Sequence, residues 1–124
     1  MLLDSNIIIY AAQPEHDALR ALVAEKSPAV SVISYIEVLG YHQLKEEERE
    51  FFEQFFQAAQ ILPLSDEIAE RAVQLRRERR MSLGDAIIAG TALVHALTLV
   101  THNTEDFEWV RELQLFDPLK SAPK

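Results

Sequence analysis

Four carboxylates, Asp4, Glu37, Asp85 and Asp106, sit where short apolar runs give way to helical patterns. Asp4 closes the pair Leu2-Leu3, and Glu37 lies one helical turn beyond Ala29-Val30-Ser31-Val32, in Ser34-Tyr35-Ile36-Glu37. Asp85 opens an apolar run in Ser82-Leu83-Gly84-Asp85, and Asp106 follows Leu97-Thr98-Leu99-Val100-Thr101. An all-oxygen set of three or four carboxylates suits hard cations, so Mg²⁺ or Mn²⁺ is expected rather than zinc. No cysteine and no His-x₃-His pair suggests otherwise. A divalent ion so held activates water and stabilises charge on a phosphoryl group.

Each acid also has a purely structural reading. Asp4 fits a helix N-cap. Ser34-x-x-Glu37 has the form of a capping box, and Ser82-x-x-Asp85 is a looser version. Asp106 fits a first-turn acid facing a helix dipole. Apolar helix follows Glu37 (Val38-Leu39) and Asp85 (Ala86-Ile87-Ile88-Ala89), which places both near buried surface. A carboxylate there is costly unless a cation or hydrogen bonds compensate it. Converging carboxylates also raise one another's pKa unless a divalent ion offsets the charge.

The elements that must position these acids alternate between strand and helix. Strands are expected at Leu2-Leu3, Ala29–Val32, Ile61–Leu64 and Leu97–Thr101. Helices are expected at 5–12, 15–26, 34–44, from Glu46 onward, after a Ser65 or Asp66 cap, and at 83–96. Leu19, Leu22 and Val23 form one apolar face; Phe51, Phe52, Phe55, Phe56 and Ala59 form another at helical spacing; Ile68, Ala72 and Leu75 form a third. The alternation implies an α/β fold with a mainly parallel sheet flanked by helices on both faces, although strand order does not follow from it. In such a sheet the carboxyl ends of the strands share one edge, where ligands bind. Asp4, Glu37 and Asp106 therefore face one edge, and the helix carrying Asp85 can begin beside it.

With 124 residues and no repeat or linker, the chain is expected to form one domain over residues 1–119 with a short tail, 120–124. Its 48% hydrophobic and 26% charged residues are ordinary for a globular protein. The lack of cysteine fits a reducing compartment, and Met1-Leu2-Leu3-Asp4 lacks the basic start of a signal peptide. The apolar stretch from Ala86 to Val100 is shorter than the ~20 residues of a membrane helix. A cytoplasmic protein without membrane association is expected. A net charge of −8 is unusual for a nucleic-acid binder, but acids that hold cations are neutralised in use.

Asp4-Ser5-Asn6, Ser34-x-x-Glu37 with Gly40, Asp85-Ala86-Ile87-Ile88-Ala89 and Thr101-x-Asn103-x-x-Asp106-Phe107 together resemble the PIN domain. More narrowly they are similar to the toxin ribonucleases of VapBC-type toxin–antitoxin pairs. The resemblance runs from Met1 to about Leu119 and implies a PIN-like three-layer fold and endonucleolytic cleavage of RNA. Ser5 stands where the family more often has threonine, and the hydroxyl is kept. The resemblance assigns Asp4 and Asp85 as direct metal ligands. Glu37 would bind metal or orient the attacking water, and Asp106 would complete the shell, with Asn103 or Glu105 as alternatives. Ser5, Asn6 and Asn103 would support them by hydrogen bonds. Family members are typically homodimers neutralised by an antitoxin, here a VapB-like partner with a basic or amphipathic segment.

Other features carry less. Arg71, Arg76, Arg77, Arg79 and Arg80 could guide a phosphate backbone or simply favour a helix C-terminus. His102 could act as a base or be an ordinary loop residue. The phenylalanine stripe is core, with part of it available to a partner. A two-component receiver domain fits the length and acidity, but Ser5 stands where a second acid is needed, and no lysine follows the last clear strand before Lys120. A PIN-domain nuclease of RNA maturation and a silent PIN-like interaction module are the remaining alternatives.

Overall fold

The structure, a computed structural model, describes residues 1–120. The tail expected over 120–124 therefore lies, from Ser121 onward, outside the described residues. Leu2-Leu3 forms β1, the middle strand of a parallel five-stranded sheet. The others are β2 (Ala29–Ser31), β3 (Gln60–Leu62), β4 (Leu99–Val100) and β5 (Leu115–Phe116), in the order β3-β2-β1-β4-β5. Leu2 pairs in register with Ala29 on one side and Leu99 on the other. From β1 the chain builds outward through β2 and β3, then returns to the opposite side of β1 for β4 and β5. The order thus reverses between β1 and β4, and a crevice opens at such a reversal at the carboxyl ends of the strands.

Strand alternation divides the core. Leu2, Ala29 and Leu99 point to one face, against Leu75, Ile88, Ala89 and Ala92. These belong to α5 (Asp66–Glu78) and α6 (Leu83–Val94). Leu3, Val30 and Val100 point to the other face, against Ile7, Val23, Val38, Phe52 and Phe56. Those come from α1 (Ser5–Ala11), α2 (Asp17–Glu25), α3 (Val32–Leu39) and α4 (Glu46–Ala58). The helix–sheet–helix layering matches the expected fold class. Among the described residues no helix is long and apolar enough to cross a membrane.

Several local expectations are corrected. The helix expected over 34–44 begins at Val32 and ends at Leu39, because Ser31 caps it: the Ser31 hydroxyl accepts from the Ile33 N–H at 3.1 Å. The capping-box reading of Ser34 and Glu37 is thereby removed, since both lie inside the helix. Pro14–His16 forms a 3₁₀ turn before α2, so that helix starts two residues late. Leu22 is half-buried, while Leu19 and Val23 are buried. Phe52 and Phe56 are buried, but Phe51 and Phe55 are half-exposed. β5 was not anticipated. It is a two-residue edge strand, attached through the Leu99 N–H to the Gln114 carbonyl and the Thr101 N–H to the Phe116 carbonyl.

Helices α5 and α6 pack closely because small residues face each other. A Cβ on Gly90 would lie 3.2 Å from the Ile68 carbonyl oxygen and 3.5 Å from the Ala72 nitrogen. Both neighbours are helical backbone and yield little, so Gly90→Val is expected to lower folding stability by about 1–3 kcal/mol. Urea unfolding measures this, and an unchanged midpoint would show that the two helices move apart freely.

Candidate active site

Asp4 is the N-cap of α1, and its carboxylate is the most enclosed acid of the site, with the residue 5% exposed. One oxygen accepts the Ser5 N–H at 2.8 Å and the other accepts the Thr101 hydroxyl at 2.8 Å. The Asp4 N–H also donates to the Val100 carbonyl at 2.9 Å. Asp4 therefore joins the carboxyl end of β1 to that of β4, at the place where the strand order reverses. Burial pushes its pKa above the ordinary 3.8. Thr101 and Ser5 oppose the shift by bonding the charged form, and repulsion from Glu37 and Asp106 adds to it.

Asp85 stands in the first turn of α6, half-buried, with its N–H donating to the Ser82 hydroxyl at 3.1 Å. Half of the capping expectation thus holds: Ser82 is the cap. Burial raises the Asp85 pKa first, then the charges of Asp4 and Asp106; Ser82 opposes, and Glu37 adds a smaller push. Sequence reasoning placed Glu37 near buried surface, but the residue is exposed on α3. Its Oε1 nevertheless accepts the Ser5 hydroxyl at 2.8 Å. Asp106 ends a 3₁₀ turn, Thr104–Asp106, and is also exposed. The charges acting on both Asp4 and Asp85 come from Glu37 and Asp106, not from Glu105.

Asn103 contributes through its backbone, whose N–H donates to the Thr101 hydroxyl oxygen at 3.0 Å and so supports the group that bonds Asp4. Asn6 is half-buried beside the cap, and its side chain makes no hydrogen bond among the described residues. Also among the described residues, no group of three histidine, aspartate or glutamate side chains is arranged to hold a metal ion. Asp4 and Glu37 are turned toward hydroxyls instead. This does not conflict with the donor chemistry. Mg²⁺ keeps several waters and is commonly held by only one or two carboxylates.

Sequence reasoning found His102 but not its partner. The His102 Nδ1 lies 3.1 Å from Asp117 Oδ2, and Asp117 also accepts the Leu119 N–H at 2.9 Å. Asp117 follows β5, and with that strand illegible nothing tied it to His102. Three of the five arginines contact the protein itself, and Arg77 and Arg80 line the surface groove beside them. Arg71 reaches Glu112 at 3.5 Å, Arg76 donates to the Met81 carbonyl at 3.2 Å, and Arg79 lies over the Trp109 ring. A cavity of about 870 Å³ between α5 and α6 is lined by Val73, Arg77, Met81 and Leu83, and none of the four acids borders it.

The PIN domain family model matches residues 1–113. A chain of the toxin–antitoxin complex from Klebsiella pneumoniae superposes with a TM-score of 0.80 at 34% identity, over 97% of this chain and 98% of that one. A chain of VapBC2 from Rickettsia felis, bound to a DNA fragment from its promoter, gives 0.79 at 25% identity, over 93% and 96%. A chain of VapBC-1 from nontypeable Haemophilus influenzae gives 0.76 at 25% identity, over 94% and 96%. No curated protein matches the chain in sequence. Matched over nearly its whole length in sequence, and over nearly its whole length in fold by a relative at 34% identity, the chain belongs to the PIN domain family.

Proposed function

We propose that this protein is a metal-dependent endoribonuclease, the toxin of a VapBC-type toxin–antitoxin pair, acting as one domain over residues 1–119. The observation that carries the reading is the state of Asp4 and Asp85. They come from distant parts of the chain, and the ionised form of each is opposed by burial and by neighbouring acids at one sheet edge. Caps alone give no reason for that convergence. A divalent cation does, because it offsets the repulsion that the fold otherwise bears.

In this reading Asp4 and Asp85 hold Mg²⁺ or Mn²⁺ directly, Glu37 binds it or orients the attacking water, and Asp106 completes the shell. When bound, the ion supplies positive charge to phosphoryl oxygens and acidifies water. Thr101 and the Ser5 N–H fix the Asp4 carboxylate, leaving each of its oxygens a free lone pair. Asn103 secures Thr101 in turn. The partner is a VapB-like antitoxin, by analogy with the complexes that this fold matches, and a homodimer in the cytoplasm is the expected assembly.

The test is incubation of the antitoxin-free protein with total cellular RNA, with Mg²⁺, Mn²⁺ or chelator, and mapping of new 5′ ends. Asp4→Asn runs in parallel, since asparagine is isosteric and its one acceptor oxygen keeps the Ser5 cap, while the charge and the Thr101 hydroxyl's acceptor are lost. Discrete cuts that need metal and vanish in the variant are expected. The second reading is a silent interaction module on the same fold. A folded protein that neither cuts nor binds metal would establish that reading instead. Cuts confined to one precursor RNA would indicate a maturation nuclease with the same chemistry.

A further inference from the structure

Glu37 is a long, exposed side chain on a helix, the kind that ordinarily samples several rotamers in solvent. Here it is held on two sides. On one side, Oε1 accepts the Ser5 hydroxyl at 2.8 Å, and the Ser5 oxygen lies 2.9 Å from the hydroxyl of Ser34, which is fully buried. A carboxylate only accepts, and Ser5 has a single hydroxyl proton, so that proton goes to Glu37. Ser34 must then donate to Ser5. The result is a directional chain, Ser34 to Ser5 to Glu37, anchored in the core.

On the other side the carboxylate rests against a glycine. A Cβ on Gly84 would lie 3.0 Å from Oε2, 3.7 Å from Cδ and 3.8 Å from Oε1 of Glu37. Gly84 occupies the first turn of α6, next to Asp85. The usual reason for glycine is absent, because no glycine of the chain has positive φ. Glycine in a helix costs up to about 1 kcal/mol relative to alanine, so backbone stability does not explain it either. What its missing side chain provides is room for the Glu37 carboxylate beside Asp85.

We propose that Gly84 and Ser34 are positioning residues for Glu37: the glycine makes a seat for its carboxylate, and the buried hydroxyl aims it through Ser5. The kinetic consequence rests on the nuclease reading above, whereas the position of the carboxylate does not. In Gly84→Ala the atom that must yield is the end of a flexible side chain, displaced by a few tenths of an ångström. Folding is therefore undisturbed, and the thermal midpoint is expected to stay the same or rise.

The test has two arms. High-resolution crystal structures of the metal-free wild type and Gly84→Ala should show the Glu37 carboxylate shifted off its seat, with the Ser5 bond lengthened or broken. An unmoved carboxylate overturns the proposal. In the second arm, cleavage of an RNA that the wild type cuts should lose about 10- to 100-fold in kcat, with KM for RNA little changed, as small misplacements near the reacting atoms do. In a Glu37→Gln background Gly84→Ala should cost nothing further, because the residue it acts through has lost its charge. An equal loss in that background would assign Gly84 to RNA approach and overturn the proposal. Ser34→Ala should lower kcat less than Gly84→Ala and likewise cost nothing further in the Glu37→Gln background; full activity in both variants sinks the idea. If the wild type cuts no RNA, the nuclease reading falls, and the crystals still decide the seat.

Discussion

Asp85→Asn is expected to abolish metal-dependent RNA cleavage, with a loss of about 10³-fold or more, while the protein stays folded. A carboxylate that holds a catalytic divalent ion supports several kcal/mol of transition-state charge stabilisation, and about 4 kcal/mol corresponds to roughly 10³-fold. Asparagine keeps the volume and leaves the Ser82 cap intact, since that bond uses the backbone N–H of residue 85. The substitution also relieves a strain, because ionised Asp85 is opposed by burial and by the charges of Asp4, Asp106 and Glu37. Loss of cleavage with an unchanged or higher thermal midpoint would separate a catalytic role from a structural one. Retained cleavage would leave Asp85 as an ordinary first-turn acid on α6, where the helix dipole favours a negative charge.

How much of this site the sequence disclosed depends on which property each element needed. Asp4 with the strand before it, and Asp85 with the apolar helix that follows it, were legible because apolar pairs and runs bounded by acids leave a local signature. The strand order was not, since β1 and β4 meet only through long-range pairing, and no local pattern says that β4 returns beside β1. The bond between Thr101 and Asp4 therefore lay beyond sequence reasoning, although both residues were in view. α3 shows a different kind of miss. Ser31 and Ser34 both suit a cap, and only the strand end of β2 decides between them. Once Ser31 is the cap, Ser34 is free to point at Ser5, and a pattern that suggested local capping becomes a link between two elements. β5 failed for want of length, as two half-exposed residues at a sheet edge carry almost no periodicity.

Gly84 illustrates a signal that was present but mute. In the sequence it is one glycine before an acid, and helix propensity alone marks it as a mild defect. Only the approach of Glu37 from α3 gives it a reason. Arg71, Arg76 and Arg79 are a different case: in a cluster open to reading as a phosphate guide or as helix-terminus charges, these three contact Glu112, the Met81 carbonyl and Trp109. Charge clustering in sequence does not distinguish charges offered to a ligand from charges spent within the fold.

The same electrostatics predict how stability responds to pH and metal. Asp4 and Asp85 have native pKa values raised above 3.8, so their protonated forms favour the native state. That contribution is complete below pH 3.8 and is lost as pH rises through the raised native values, leaving the metal-free protein to bear the ionised acids at neutral pH. A divalent ion binds the ionised carboxylates, so its stabilising effect grows over the same rise in pH. With metal at 100 times its dissociation constant the gain is about 2.7 kcal/mol, which for a domain of this size raises the thermal midpoint by roughly 10 °C. The measurement is thermal unfolding with and without Mg²⁺ or Mn²⁺ at pH 4 and pH 7.5, for the wild type, Asp4→Asn and Asp85→Asn. The wild type should respond strongly at pH 7.5 and hardly at pH 4, and both variants should respond weakly at either. An equal response in wild type and variants would place the ion elsewhere on this acidic chain. No response in the wild type at pH 7.5 would remove the cation from the account, leaving the repulsion around Asp4 and Asp85 as a cost the fold bears without metal.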